Sequence, residues 1–231
     1  MAKYLDCCYD IDEIKKYINP SKINPIRGQS NKDWKLDCSY FRNKTDKYVK
    51  CKDLFGLTWT EDMENILKTT FPIDASGAGI KAFPQLSYLT MLQQNYDFKT
   101  PLLDVSSNIY MPLFCACGEG KENMDKDGII YKFEIIGHSG MAGNLENSET
   151  RILYSDEIPT YNNRLLKQEG MFLRTMFVKD GDLSFSDITK SGNIQIKEYI
   201  IPAEWKEYIL RDLEEKLQTN DLYTYFYGED K

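Results

Sequence analysis

The chain has 231 residues, 42% hydrophobic and 13% aromatic, with 16 Tyr and 11 Phe, which supplies a sizeable core and argues against disorder. Its net charge of -7 and pI of about 5.0 argue against strong general nucleic-acid binding, because phosphate affinity needs clustered Lys and Arg. One histidine, His138, and six cysteines without a Cys-x-x-Cys pair exclude most zinc sites and any two-histidine mechanism; no metal site is expected.

No stretch reaches the length of a transmembrane helix, and Met1 to Cys8 lacks a signal-peptide core, so no membrane partner is expected. Reduced thiols and a cytoplasmic location fit this cysteine usage. The organisation expected is an N-terminal helical extension over residues 1–22 and one domain over 23–231.

In chain order, Ile11, Ile14, Tyr17 and Ile18 recur at helical spacing, and Asn19-Pro20 ends the run. Ile23 and Ile26 suggest a short strand broken by Pro25. Arg27 follows at the strand's end, where its guanidinium can fork onto a carboxylate or phosphate; the ordinary alternative is a salt bridge at a turn. Gly28 lets a ligand or another backbone come close. Trp34 and Leu36 read as one side of a strand, and residues 43–53 as a lysine-rich solvated loop. Thr60 reads as the N-cap of a helix through Phe71. The glycines of residues 74–81 lack a following Gly-Lys-Ser/Thr, so they are a linker rather than a P-loop. Phe83, Leu86, Leu89, Leu92 and Tyr96 mark a further helix.

The centre of the chain is Gln94 to Ala116. Gln94, Asn95, Thr100, Asp104, Ser106, Ser107 and Asn108 surround Leu102 and Leu103. Polar groups drawn inward by apolar neighbours must be hydrogen-bonded, so the stretch is either a structural network or part of a site. Tyr110 to Cys117 reads as a buried helix with Pro112 in its first turn. Beyond a charged loop at 119–127, strands are expected at Gly128–Ile136, Arg151–Tyr154, Met171–Val178 and Ile194–Ile201, with a turn at Gly181-Asp182. His138 falls in a loop as an exposed histidine. Pro202 opens a helix whose core face is Trp205, Ile209, Leu213 and Leu217, and the aromatic tail from Tyr223 packs back on the body. Helices concentrate at 60–117 and strands after 128. The fold class expected is α+β, with a mixed or antiparallel sheet and a central helical segment.

Three spaced blocks resemble the FRG domain, a bacterial and phage family named for a Phe/Tyr-Arg-Gly motif. The first is Ile26-Arg27-Gly28-Gln29 with Trp34 and Leu36. The second is Gln94, Tyr96, Thr100, Leu102, Leu103, Asp104, Asn108 and Ala116. The third is Arg164, Gln168, Gly170 and Phe172. Asn95 stands where the family has histidine, and Pro101 where its second block has arginine. Asn hydrogen-bonds but cannot shuttle protons near neutral pH.

The resemblance implies two readings. In the first, the order of motifs is similar to that of ADP-ribosyltransferases, enzymes of NAD-dependent glycosyl transfer, and the setting is a phage–host or toxin–defence conflict. NAD would then meet Arg27, Gly28, Gln29, Gln94, Thr100, Ser106, Asn108 and Arg164, while Arg27, Asp104, Gln168 and Glu169 would carry the chemistry. In the second, a non-catalytic module built on a buried Arg27–Asp104 pair recognises a nucleotide, another small molecule, or a host or phage protein.

Overall fold

The computed structural model describes residues 2–5, 10–55, 99–118, 122–136, 149–153, 167–179 and 182–228. The helices expected at 60–71 and 83–96, the loop at 74–81, His138, Gln94 and Arg164 lie outside the described residues.

The described elements are β1 (Lys3–Tyr4), α1 (Ile11–Ile18), β2 (Ile26–Gln29), β3 (Tyr48–Lys50), α2 (Cys51–Phe55), β4 (Leu103–Ser106), α3 (Tyr110–Gly118), β5 (Gly128–Ile135), β6 (Glu149–Leu153), β7 (Gly170–Lys179), β8 (Asp182–Ser186), β9 (Ile194–Ile201), α4 (Lys206–Leu217) and α5 (Leu222–Tyr227). The chain is α+β with a mixed sheet. All described strand pairs are antiparallel except β1 with β9.

The sheet runs β1-β9-β5-β2-β4-β7-β8-β3. Strand β7 uses both edges. Leu173 pairs with Leu103 of β4 and with Ile152 of β6; Met176 pairs with Glu149 of β6 and with Phe185 of β8. So β4 and β8 share one edge of β7, and β6 takes the other. Strands β2 and β4 share a single bridge, Ile26 opposite Ser106. The two strands part beyond it, and that fork positions the site.

Two apolar clusters cover the two faces of the sheet. On one, Ile26 and Ile130 pack with the helical residues Ile14, Leu113, Phe114 and Ile209. On the other, Val105, Tyr131 and Phe133 pack with Phe41, Phe172 and Phe185. The alternation along β5, with Ile130 on one face and Ile129 and Tyr131 on the other, is the period-two rule in operation.

Helix α1 buries Ile11, Ile14 and Ile18, and its N-cap Asp10 accepts from the amides of Asp12 (2.7 Å) and Glu13 (3.2 Å). Helix α3 buries Leu113, Phe114, Ala116 and Cys117. The Asn108 side-chain oxygen accepts the Tyr110 amide at 3.1 Å, and Pro112 falls in the first turn, where a missing N–H costs no helix bond.

Three local expectations differ from the structure. Residues 43–53 contain β3 and the start of α2 rather than only a solvated loop; β3 pairs with β8, and Lys50 and Lys52 both bind Asp182 at 2.7 Å at that edge. Trp34 and Leu36 are not in a strand; Trp34 is exposed and Leu36 buried. Strand β7 is followed not directly by the 194–201 strand but by β8, which pairs with it as a hairpin.

A candidate ligand cleft at the fork of the sheet

A cleft of about 650 Å³ opens where β2 and β4 separate. Ile26 to Ser30 form one wall, Asp104 to Ser106 the other. Residues from both faces of the sheet reach it, because it passes through the fork. Helix α3 contributes Met111, Pro112 and Cys115; α5 contributes Tyr223 and Tyr227. Trp34, Arg42 and Glu122 stand at its exposed rim.

Arg27 spans the fork. Its Nη1 donates to the Asp104 carbonyl oxygen at 2.9 Å and lies 3.9 Å from the Asp104 carboxylate. Its Nε–H is buried and has no acceptor among the described residues. Two residues on, and so on the same side of the strand, the Gln29 side-chain oxygen is buried and likewise without a partner. Next to Arg27 in the ladder lies Tyr131, whose phenol burial pushes up to about 12.

The other polar residues of the walls are occupied. The Ser106 hydroxyl donates to the Gln168 carbonyl (2.8 Å) and accepts the Asn108 amide (3.0 Å). The Gln168 amide nitrogen donates to the Phe226 carbonyl (3.2 Å), fastening α5 beside the cleft. Phe226 stacks on Phe114 of α3 at 5.3 Å, and Tyr223 lies 4.9 Å from Tyr227. At the far end of β2, the fully buried Lys206 donates to the Ser30 carbonyl (2.7 Å) and the Asn123 carbonyl (2.8 Å). Burial depresses its ammonium below the ordinary lysine range.

The family model of the FRG domain matches residues 25–125. Over those residues the chain is similar to the FRG domain. No curated protein and no solved structure matches the chain. The FRG match starts one residue before the Ile26-Arg27-Gly28 motif and covers both arms of the fork and α3. Gln168, Tyr223 and Tyr227 complete the cleft from beyond it.

Of the residues that the sequence singled out, Arg27, Gly28, Gln29, Asp104, Ser106 and Gln168 line the cleft together. Gly28 meets a backbone as well as the cleft, since it packs on α3. Thr100 does not line it. Its amide donates to Ser39 Oγ (2.9 Å), and its carbonyl accepts the Tyr40 amide (3.0 Å), pinning that loop to the start of β4. Asn108 and Glu169 also lie outside the lining. Glu169 adopts a left-handed φ of 44° and accepts from Asn108 Nδ2 (2.9 Å) and Ser107 Oγ (3.3 Å). Gln94 and Arg164 fall outside the described residues. The sequence reading did not place Arg42, Met111, Cys115 or Glu122 in a site. Met111 and Cys115, one helical turn apart on α3, were visible only as apolar residues of a buried helix.

Among the described residues, no group of three His, Cys, Asp or Glu side chains is placed to hold a metal ion. No described helix is long and apolar enough to cross a membrane.

Proposed function

We propose that the cleft binds a nucleotide, NAD being the first candidate, and that it performs an ADP-ribosyltransferase-like reaction on it. The observation that carries this reading is the buried Arg27 Nε–H with no acceptor among the described residues, on a side chain only 18% exposed. An unsatisfied buried donor costs about 1–3 kcal/mol, and an anionic oxygen in the cleft would remove that cost. The chemistry around it fits the rest of a nucleotide. Arg42 adds a second cation, and Trp34, Tyr223 and Tyr227 offer aromatic surface for a base or pyridine ring. A volume of about 650 Å³ is in the range of small-molecule sites.

For glycosyl transfer, positive charge develops on the ribose as the nicotinamide leaves. A carboxylate nearby stabilises it. The carboxylates lining the cleft are Asp104 and Glu122, and Asp104 is the one on the fork wall beside Arg27. Asp104 therefore takes the role that the family analogy gives to Glu169. The phage–host or toxin–defence setting and a cytoplasmic location rest on the family resemblance and cysteine usage alone.

One observation favours the second reading, a non-catalytic module. Glu169 is held by Asn108 and Ser107 outside the cleft. In that case the nucleotide binds without being cleaved.

Thermal melting of the wild type and of Arg27→Ala over an NAD series tests the reading. A ligand that binds only the folded state adds about 2.7 kcal/mol at 100 times its Kd. The wild type is expected to shift and the folded variant not to. Absence of a shift in the wild type overturns the nucleotide reading. A shift without nicotinamide release selects the non-catalytic form.

A further inference from the structure

The cleft contains a second unsatisfied atom, of opposite character to the first. The Gln29 side-chain oxygen is a hydrogen-bond acceptor, and its residue is 6% exposed. It lines the same cleft as Arg27 and lies on the same side of β2. A buried donor, Arg27 Nε–H, and a buried acceptor, Gln29 Oε1, thus belong to residues two apart on the same side of β2, both without a partner among the described residues. Other polar groups of the walls make bonds of their own: Lys206 donates to the Ser30 and Asn123 carbonyls, the Ser30 hydroxyl accepts from Asn123 Nδ2, and the Ser106 hydroxyl donates to the Gln168 carbonyl.

Buried acceptors are rarely left unmatched, and one that lines a cleft is open to a donor that the chain itself does not supply. An anion alone would satisfy Arg27 and repel the Gln29 oxygen. We infer that Gln29 is a specificity-determining residue that accepts a hydrogen bond from a neutral N–H group of the ligand, while Arg27 holds an oxygen of the same molecule. The ligand class is thus a nucleotide that carries an amino or carboxamide N–H, not any polyanion. This rests on the nucleotide reading above. In NAD that N–H has two sources, the carboxamide of the nicotinamide and the 6-amino group of the adenine.

The test uses the full chain, Gln29→Met and Gln29→Glu, and three probes measured by calorimetry. These are NAD, nicotinic acid adenine dinucleotide, which lacks the carboxamide N–H, and nicotinamide hypoxanthine dinucleotide, which lacks the adenine amino group. Gln29→Met keeps the side-chain length and removes the acceptor. It is expected to melt no lower than the wild type, because the unsatisfied oxygen is gone, yet to bind NAD about 10-fold more weakly. Gln29→Glu, which keeps an acceptor, is expected to bind NAD better than Gln29→Met. One analogue should bind the wild type about 10-fold more weakly than NAD and lose nothing further in Gln29→Met; which analogue does so names the source of the N–H.

The inference is overturned if Gln29→Met binds NAD as the wild type does, or if both analogues bind the wild type as tightly as NAD. If the wild type binds none of the three, the nucleotide reading fails and the inference falls with it. If the wild type binds NAD and Gln29→Met is indifferent, the inference alone fails.

Discussion

The carbonyl oxygen of Pro112 lies where a Cβ on Gly28 would have to be. That Cβ would also fall 2.8 Å from the Pro112 carbonyl carbon and 3.0 Å from the Ala116 amide nitrogen. Gly128, on the neighbouring strand β5, stands in the same relation to the carbonyl of Ala116. Helix α3 therefore rests directly on the backbone of two adjacent strands, and the glycine of the Arg-Gly motif sets the depth at which it sits. Because the obstructing atoms are backbone, a neighbouring side chain cannot turn away to make room.

Gly28→Ala is accordingly expected to destabilise the protein by about 3 kcal/mol, the upper end of the cost of overpacking. Urea unfolding checks this. The same change pushes α3 and its cleft residues Met111 and Cys115 outward, so NAD binding should weaken in the fraction that folds. A variant as stable as the wild type would show that α3 is not seated on Gly28.

The two candidate catalytic carboxylates differ in their relation to the cleft. Asp104 lines it, and Glu169 does not. Measured as nicotinamide release, Asp104→Asn should lower NAD cleavage by about 100-fold or more, the scale of losing one electrostatic stabiliser of a transition state. Glu169→Gln should stay within about threefold of the wild type on that scale. The reverse ranking would return the catalytic role to Glu169.

Lys206 carries a pH signature. Its folded ammonium is depressed by burial from an ordinary 10.5. Between the folded and unfolded values the unfolded chain holds more protons, so stability rises with pH across that window. Below the folded value both states are charged and the burial penalty is constant. Lys206→Met leaves the Ser30 and Asn123 carbonyls without their donor and should cost about 2 kcal/mol at pH 7. Chemical denaturation at pH 7, 9 and 10 should find that gap widening with pH. A gap that narrows would reverse the sign of the burial effect.

Asp182 has the opposite signature. Lys50 and Lys52 each donate to it at 2.7 Å and bring its carboxyl down to about 2 from an ordinary 3.8. Its folded value is the lower one, so its contribution is complete above 3.8 and is lost as pH falls toward 2. Asp182→Asn should melt lower than the wild type at pH 6, and the difference should shrink between pH 4 and 2. A difference independent of pH would show that the β3–β8 contact, not the ion pair, supports this edge.

Much of the scaffold was legible because its signals are local. The isoleucines of α1 and the β-branched run of β5 follow periods that need only neighbours in sequence. The Arg27–Gly28 pair stood out for the chemistry of its residue types. What Gly28 does was legible only as an alternative, a ligand or a backbone, because choosing between them needs the position of Pro112, 84 residues away in the chain. Lysines 50 and 52 suggested a solvated loop since nothing local shows that Asp182 will meet them. The aromatic tail was expected to pack back on the body, and Phe226 does so against Phe114. That Tyr223 and Tyr227 would also face a cleft depends on the Gln168-to-Phe226 bond, which no spacing in the sequence reveals.

The route of the chain through the cleft has a bearing on how the protein is made. Its first wall is Ile26 to Ser30 and its last contributor is Tyr227. The two are separated by about 200 residues, or about 10–40 s of synthesis at typical rates. Until α5 has emerged and Gln168 has caught the Phe226 carbonyl, the aromatic side of the cleft does not exist. A chain that still lacks α5 cannot form that side of the cleft, which is complete only once α5 has docked.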